Sequence, residues 1–271
     1  TPIKSSAASD VYKRQLYGCI PVVTANASHN SWDWGEDVQW VPNDTRSFSY
    51  CVDQGDYWKW VGVGDNYGWL RTGGKPASGD PKDGKGALWG LSWYGIRKAN
   101  IGLANLDKLT QATTEERNLI EGQLYFFRGW FHFMLMQFWG GLPYVDEVLP
   151  SDEVLKRARL TYRETADKAS EDFRKAAALL PLDWDETTVG KQTVGKNNIR
   201  INKIMALAYL GKNELWAGSP LMSGDVNAQT TAYNAESCQR AADAFAEVLD
   251  LCDKTKRYEL ADFANYTDIF Y

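Results

Sequence analysis

The residues of this chain best suited to chemistry are aromatic. Trp32, Trp34, Trp40, Trp58, Trp60, Tyr67 and Trp69 lie in sequence rich in Gly, Asn and Asp, outside any helical stripe that would bury them routinely. The chain holds 12 Trp, eight of them between Trp32 and Trp93. Flat rings accept the apolar C–H faces of sugars, while nearby amide, carboxylate and guanidinium groups hydrogen-bond the hydroxyl rim. In Trp58-Lys59-Trp60 an extended backbone puts both indoles on one side. The candidate ligand-binding residues are Trp32, Trp34, Trp58, Trp60, Asp65, Asn66, Tyr67, Trp69 and Arg71. Each tryptophan also has a plainer reading, in which it packs a loop onto the helices and meets no ligand.

Other chemistries lack their parts. Two histidines and four cysteines without a CxxC spacing supply no zinc set, and no cofactor or metal is implied. There is no GxSxG, HExxH or Walker loop, and no GxGxxG in a βαβ context. Glycosidases need two facing carboxylates; here Glu115, Glu116, Glu164 and Asp172 read as helix starts or solvated faces, so the expectation is a protein that is not an enzyme. A net charge of −5 with scattered Lys and Arg offers no basic face for nucleic acid. Cys19 follows Leu16-Tyr17-Gly18, a loose lipoprotein cleavage box, but Lys13, Arg14 and Gln15 stand where an apolar signal core belongs, so the match reads as coincidence. Cys238 and Cys252 lie about 21 Å apart on one helix and cannot bridge; they read as small buried hydrophobes.

The elements that must position these residues are helical. Thr113 and Glu116 form a capping box, Gly140 and Gly141 stop the pattern, and Pro143 cannot continue it, which predicts a helix over 115–139. Ile120, Leu124, Phe127, Phe131, Met134, Leu135 and Phe138 recur at three- and four-residue steps, and Trp130 and Phe133 fill the other side. A helix apolar nearly all round must be enclosed. Arg128, His132 and Gln137 inside the run make the enclosure protein and not lipid. Arg128 needs buried partners and reads as part of a structural network, and Glu121, seven residues earlier, lies about 10 Å up the same helix face. Gly122 and Gly129 mark a close helix approach.

Further helices are expected from Ala87, with Leu88, Leu91, Gly95, Ala99, Leu103 and Leu106 on one stripe, and from Thr161 to Pro181, with a second capping box at Thr161 and Glu164. Ile199–Gly218 puts Ile204, Leu207, Ala208 and Leu215 inward, and Cys238, Ala241, Phe245, Val248 and Cys252 mark the last helix. Trp89, Trp93, Trp130, Trp139 and Trp216 fall on helices and read as core. The predicted fold is mostly α, with tetratricopeptide-like antiparallel helix pairs and long irregular aromatic-rich loops, although no clean 34-residue repeat is present.

At Glu121, Phe127, Arg128, Gly129 and Phe131, followed by Trp139-Gly140-Gly141-Leu142-Pro143, the sequence resembles the SusD/RagB family of Bacteroidetes outer-membrane nutrient-binding lipoproteins. Trp89, Trp93, Ile96, Ala99 and Asn100 resemble the family's preceding helix, with Trp93 in place of a tyrosine. Arg159, Thr161, Glu164, Asp172, Ala176, Leu180 and Pro181 resemble the following one, and Trp216-Ala217-Gly218-Ser219-Pro220 a later signature. In the family helix Gly122 and Gly129 replace two alanines, and Glu121, Arg128, Gly140, Gly141 and Pro143 take structural roles. The resemblance implies residues 1–15 as non-native or disordered, 16–83 as a loop-rich, aromatic-rich region, and 84–271 as a helical region ending before a C-terminal half, in a family whose members are roughly twice this long.

By this resemblance the protein is expected to bind oligosaccharide at the cell outer membrane, as a surface-exposed lipoprotein, and to deliver it to a SusC-like TonB-dependent transporter. Any membrane attachment is through a lipid anchor absent from this chain. Three rivals stand beside it: a peptide-binding uptake protein of the same family, a helical-repeat interaction scaffold, and a glycosidase.

Overall fold

The computed structural model describes residues 15–20, 88–150, 156–223 and 232–269. Within them lie five long helices: α1 (Leu88–Leu103), α2 (Thr114–Trp139), α3 (Tyr162–Leu179), α4 (Lys203–Gly218) and α5 (Ala235–Thr255). Short 3₁₀ turns and a four-residue helical turn at Pro220–Ser223 link them, and no strand occurs among the described residues. No described helix is long and apolar enough to cross a membrane.

The helix ends are set locally. Thr113 accepts from the Glu116 amide while the Glu116 carboxylate accepts from the Thr113 amide, and Thr161 and Glu164 repeat the arrangement on α3. Asn202 and Asn234 cap α4 and α5 through their side-chain oxygens. Gly140 closes α2 at φ 72°, a left-handed backbone open to glycine. The α4 start differs from the sequence expectation: residues 199–200 finish a turn closed by the Arg200 amide on Asn197 O, and the extended Asn202 cap, with the Lys203 amide bonded to Pro181 O, begins the helix four residues later.

Successive helices pack antiparallel. Trp89 meets Trp139 and Gly95 faces Phe131 across α1 and α2. Gly122 sits against Leu179 and Leu180, and Gly129 against Ala169 and Asp172, across α2 and α3. Gly211 faces Phe245 and Gly218 faces Cys238 across α4 and α5. A β-carbon on Gly95 would lie 2.3 Å from the Phe131 ring, so the absent side chain is what lets α1 approach.

The core centres on α2. Every residue from Leu119 to Met136 is buried except Glu121 and Tyr125, which are half-buried. Phe127, Phe131 and Phe133 have essentially no exposure, and edge-to-face ring contacts run from Phe126 to Tyr209 and Phe173. One hydrophobic cluster joins all five helices and takes in Leu16 and Cys19 from the 15–20 turn.

Inward assignments change at Leu215, Cys238 and Cys252. Leu215 is 51% exposed, and the α4 face at that level is made by Asn213, Glu214, Ala217 and Gly218. Glu214 is 2% exposed because Ser170, Arg163 and Arg240 converge on its carboxylate. Cys238 and Cys252 are free and half-buried.

Candidate functional site

The nine sequence-predicted ligand residues, Trp32, Trp34, Trp58, Trp60, Asp65, Asn66, Tyr67, Trp69 and Arg71, lie outside the described residues. The described part holds the helices α1 to α5 and the polar network between the first three of them.

The frame is a buried polar network around Arg128. Its Nε and Nη2 donate to Asp172 Oδ2 and Oδ1 at 2.6 and 2.7 Å, a two-pronged pair across α2 and α3. Nη1 donates to Asn100 Oδ1 and to the Asp146 carbonyl, both at 3.1 Å. Asn100 Nδ2 donates to the carbonyls of Val145 and Glu147, and the Tyr144 hydroxyl donates to Asp172 Oδ2 at 2.6 Å. Burial opposes the charge on Arg128, but the Asp172 carboxylate outweighs it and raises the guanidinium's pKa further. Burial, reinforced by Asp172, holds the Tyr144 phenol far above its ordinary value.

His132 completes the frame. Its Nε2 accepts the Val145 amide at 3.1 Å, so the proton sits on Nδ1, which donates to Arg128 O at 2.8 Å. The ring stacks on Tyr144 at 3.8 Å. Burial pushes its pKa down to about 3, with the Arg128 carbonyl acting the other way and the Arg128 charge adding to the fall. This imidazole is a neutral structural part.

At the α1–α2 end three indoles meet: Trp89 and Trp93 at 5.5 Å, Trp89 and Trp139 at 5.0 Å. All three are half-buried, as is Trp216; only Trp130 of the five helical tryptophans is fully in the core. Chain geometry is the reason, since Trp89 and Trp139 stand within two residues of helix ends. Arg159 locks the corner by donating to the carbonyls of Trp139 and Gly141. Gly141 is obligatory there, because an added β-carbon would lie 2.2 Å from Leu160 O. Pro143 is half-buried in the segment that runs on to Tyr144.

The reading of Asp172 as a solvated carboxylate is overturned: it is 1% exposed and is the principal partner of Arg128. Its spacing held the signal, since Asp172 lies three residues after Ala169 and four before Ala176 on the buried stripe of α3. Trp184 was also missed; it is buried, and its Nε1–H donates to Ile201 O. Among the described residues no group of three His, Cys, Asp or Glu could hold a metal ion.

An all-helical frame of consecutive antiparallel pairs, closed by a buried arginine network at its centre, defines a tetratricopeptide-like scaffold. The chain belongs to the SusD-like family: residues 52–212 match the family model described as starch-binding, associating with outer membrane. Among solved structures it is similar to a SusD-like protein from Bacteroides fragilis, with 20% identity and a TM-score of 0.60 over 95% of this chain and 40% of that one. It is similar to surface glycan-binding protein A from Bacteroides uniformis, with 16% identity and a TM-score of 0.63 over 96% and 49%. It is also similar to a laminarin-binding SusD-like protein, with 14% identity and a TM-score of 0.57 over 90% and 43%. The chain thus spans less than half the length of each of these three proteins. No curated protein matches the sequence.

Proposed function

We propose that this protein binds oligosaccharide at the bacterial outer surface without altering it and hands it to a SusC-like TonB-dependent transporter. The observation that carries the reading is the family match over 52–212, a range that contains Trp58, Trp60, Asp65, Asn66, Tyr67, Trp69 and Arg71. Trp32 and Trp34 precede the matched range and join the site as further aromatic platforms. Two of the structural relatives bear names that state glycan or laminarin binding. In the buried network of α1–α3 the charges of Arg128 and Asp172 are spent on each other, on Asn100 and on Tyr144, which fits a scaffold role for these helices. Attachment to the membrane, on this reading, is by a lipid anchor.

The test is intrinsic tryptophan fluorescence of the chain, titrated with laminarihexaose, maltoheptaose and a panel of short peptides. A saturable change with a sugar, lost in the Trp58→Ala/Trp60→Ala double variant and accompanied by no hydrolysis product, is the expected result. Saturation with peptides alone moves the protein to peptide uptake, and a cleaved sugar makes it a glycosidase.

A further inference from the structure

Helices α3 and α4 are joined by residues 180–202 and not by a tight turn. A connection of this length without a long helix or strand of its own is uncommon unless it carries function. This one is stitched from within. Trp184 is buried at its base, donates from Nε1 to Ile201 O and carries the Arg200 guanidinium over its ring. The Asp185 carboxylate accepts from the Gly195 amide and from Asn197 Nδ2. Asn197, 3% exposed, also donates to the carbonyls of Gly190 and Thr193 and accepts from Thr193 Oγ1. Two neighbours hold the loop from outside: Glu115 on α2 accepts the Thr188 amide, and Arg257, just after α5, pairs with Asp183 at 3.1 Å. A loop so fixed meets a surface with little further loss of freedom.

On either side of the buried Asn197 the chain makes a turn, one closed by the Lys196 amide on Thr193 O, the other by the Arg200 amide on Asn197 O. These turns carry Val194 at 63% exposure and Ile199 at 87%, and neither side chain joins the hydrophobic cluster of the helices. Lys191 and Lys196 stand exposed beside them. Every charged residue from Thr187 to Ile204 is basic, in a chain whose net charge is −5: Lys191, Lys196, Arg200 and Lys203. Asp185, just before this stretch, spends its carboxylate on Gly195 and Asn197, which leaves Glu186 as the exposed acid at the margin.

The composition of the tip selects the kind of surface it fits. The centres of protein–protein contacts favour aromatic residues, Met and Arg and are poor in Lys. A lipid interface takes aliphatic side chains into the acyl boundary, while flanking lysines keep their ammonium groups among the headgroup phosphates. Two protruding aliphatics, two exposed lysines and no aromatic ring match the second pattern.

We propose that residues 190–200 are a docking tip for an anionic lipid surface, with Val194 and Ile199 entering the headgroup boundary and Lys191 and Lys196 pairing with lipid phosphates. One such tip binds weakly and reversibly, so its effect is on orientation: it turns the α3–α4 end of the scaffold toward the membrane. The membrane context rests on the outer-surface reading above.

The experiment is cosedimentation of the full chain with sucrose-loaded vesicles. Binding is expected to vesicles of phosphatidylglycerol and phosphatidylcholine in equal parts and not to phosphatidylcholine alone. It falls as salt rises from about 0.1 M to about 1 M and the screening length shrinks from about 10 Å to about 3 Å. Lys191→Gln combined with Lys196→Gln weakens partitioning roughly thirtyfold, about fivefold for each lysine. Val194→Ser combined with Ile199→Ser weakens it several-fold and leaves its salt dependence in place. Because Val194, Ile199, Lys191 and Lys196 are all exposed, both double variants keep the thermal midpoint of the unaltered chain.

No binding to the anionic vesicles overturns the proposal, as does equal binding by the unaltered chain and both double variants. Equal binding to neutral and anionic vesicles also overturns it, since the lysines then contribute nothing. The glycan titration reads other residues, so the two readings fail separately. A chain that binds neither sugar but loses its vesicle binding in the lysine variant upholds the docking tip and defeats the glycan reading for those ligands. A chain that binds sugar and no vesicle does the reverse.

Discussion

Arg128 on α2 and Asp172 on α3 are 44 residues apart and meet through two hydrogen bonds of 2.6 and 2.7 Å with almost no solvent around them. Asn100 and His132 beside them extend the network to the segment Val145–Glu147. Removing one member leaves a buried charge without its counterion. Asp172→Asn is expected to cost about 3–5 kcal/mol in urea denaturation. Arg128→Met combined with Asp172→Leu is expected to recover most of that loss, because the desolvation of both charges disappears together. Equal stability of single and double variants would show that the pair is not coupled.

His132 makes stability fall with acid. Its folded pKa, about 3, lies below the ordinary 6.5, so the unfolded chain takes up a proton that the folded chain refuses. The stabilisation is complete above pH 6.5 and is lost progressively as pH falls toward 3. The expected loss is roughly 1.4 kcal/mol per pH unit from this group. Urea midpoints at pH 7, 6 and 5 measure it, and His132→Gln, whose amide can donate to Arg128 O and accept from Val145, is expected to flatten that part of the slope.

Glycines with the same letter have opposite fates. Gly90 on α1 is exposed, with nothing among the described residues within 4 Å of an added β-carbon, and Gly90→Ala is expected to stabilise by roughly 0.5–1 kcal/mol through helix propensity. In Gly141→Ala the new carbon would press on the backbone of Leu160 and Thr161. That substitution is expected to lower the thermal midpoint by ten degrees or more, on the order of 3 kcal/mol.

Leu207 and Leu215 test the observed face of α4. Leu207 is 0% exposed and Leu215 is 51% exposed. Leu207→Ala is expected to cost about 2–5 kcal/mol and Leu215→Ala under about 1 kcal/mol, as read from chemical denaturation. Comparable costs would return Leu215 to the core.

The apolar stripes of the chain were legible without a structure because helical periodicity is a local property. The run from Ile120 to Phe138, the two capping boxes and the Gly140–Pro143 stop depend only on neighbours three and four residues away, and all appear where the spacing put them. The glycine spacing of Gly122 and Gly129 likewise announced a close approach. Polar burial was not legible in the same way. Asp172 and Glu214 are of a residue type usual at surfaces, and the arrival of Arg128 and Tyr144 on one and of Ser170, Arg163 and Arg240 on the other makes their burial tolerable.

What the sequence by itself determined, then, is a set of amphipathic helices, their ends, the arginine that needed a buried partner, and the family to which such a set belongs. The tertiary structure alone decided which partner that arginine takes, which face of α4 turns inward, and that Tyr17 reaches residues 106 and 184 positions away. The physical reason is that capping and periodicity are settled within one helical turn, whereas a buried charge or a bridging hydroxyl is satisfied by whatever group the folded chain brings within 3 Å.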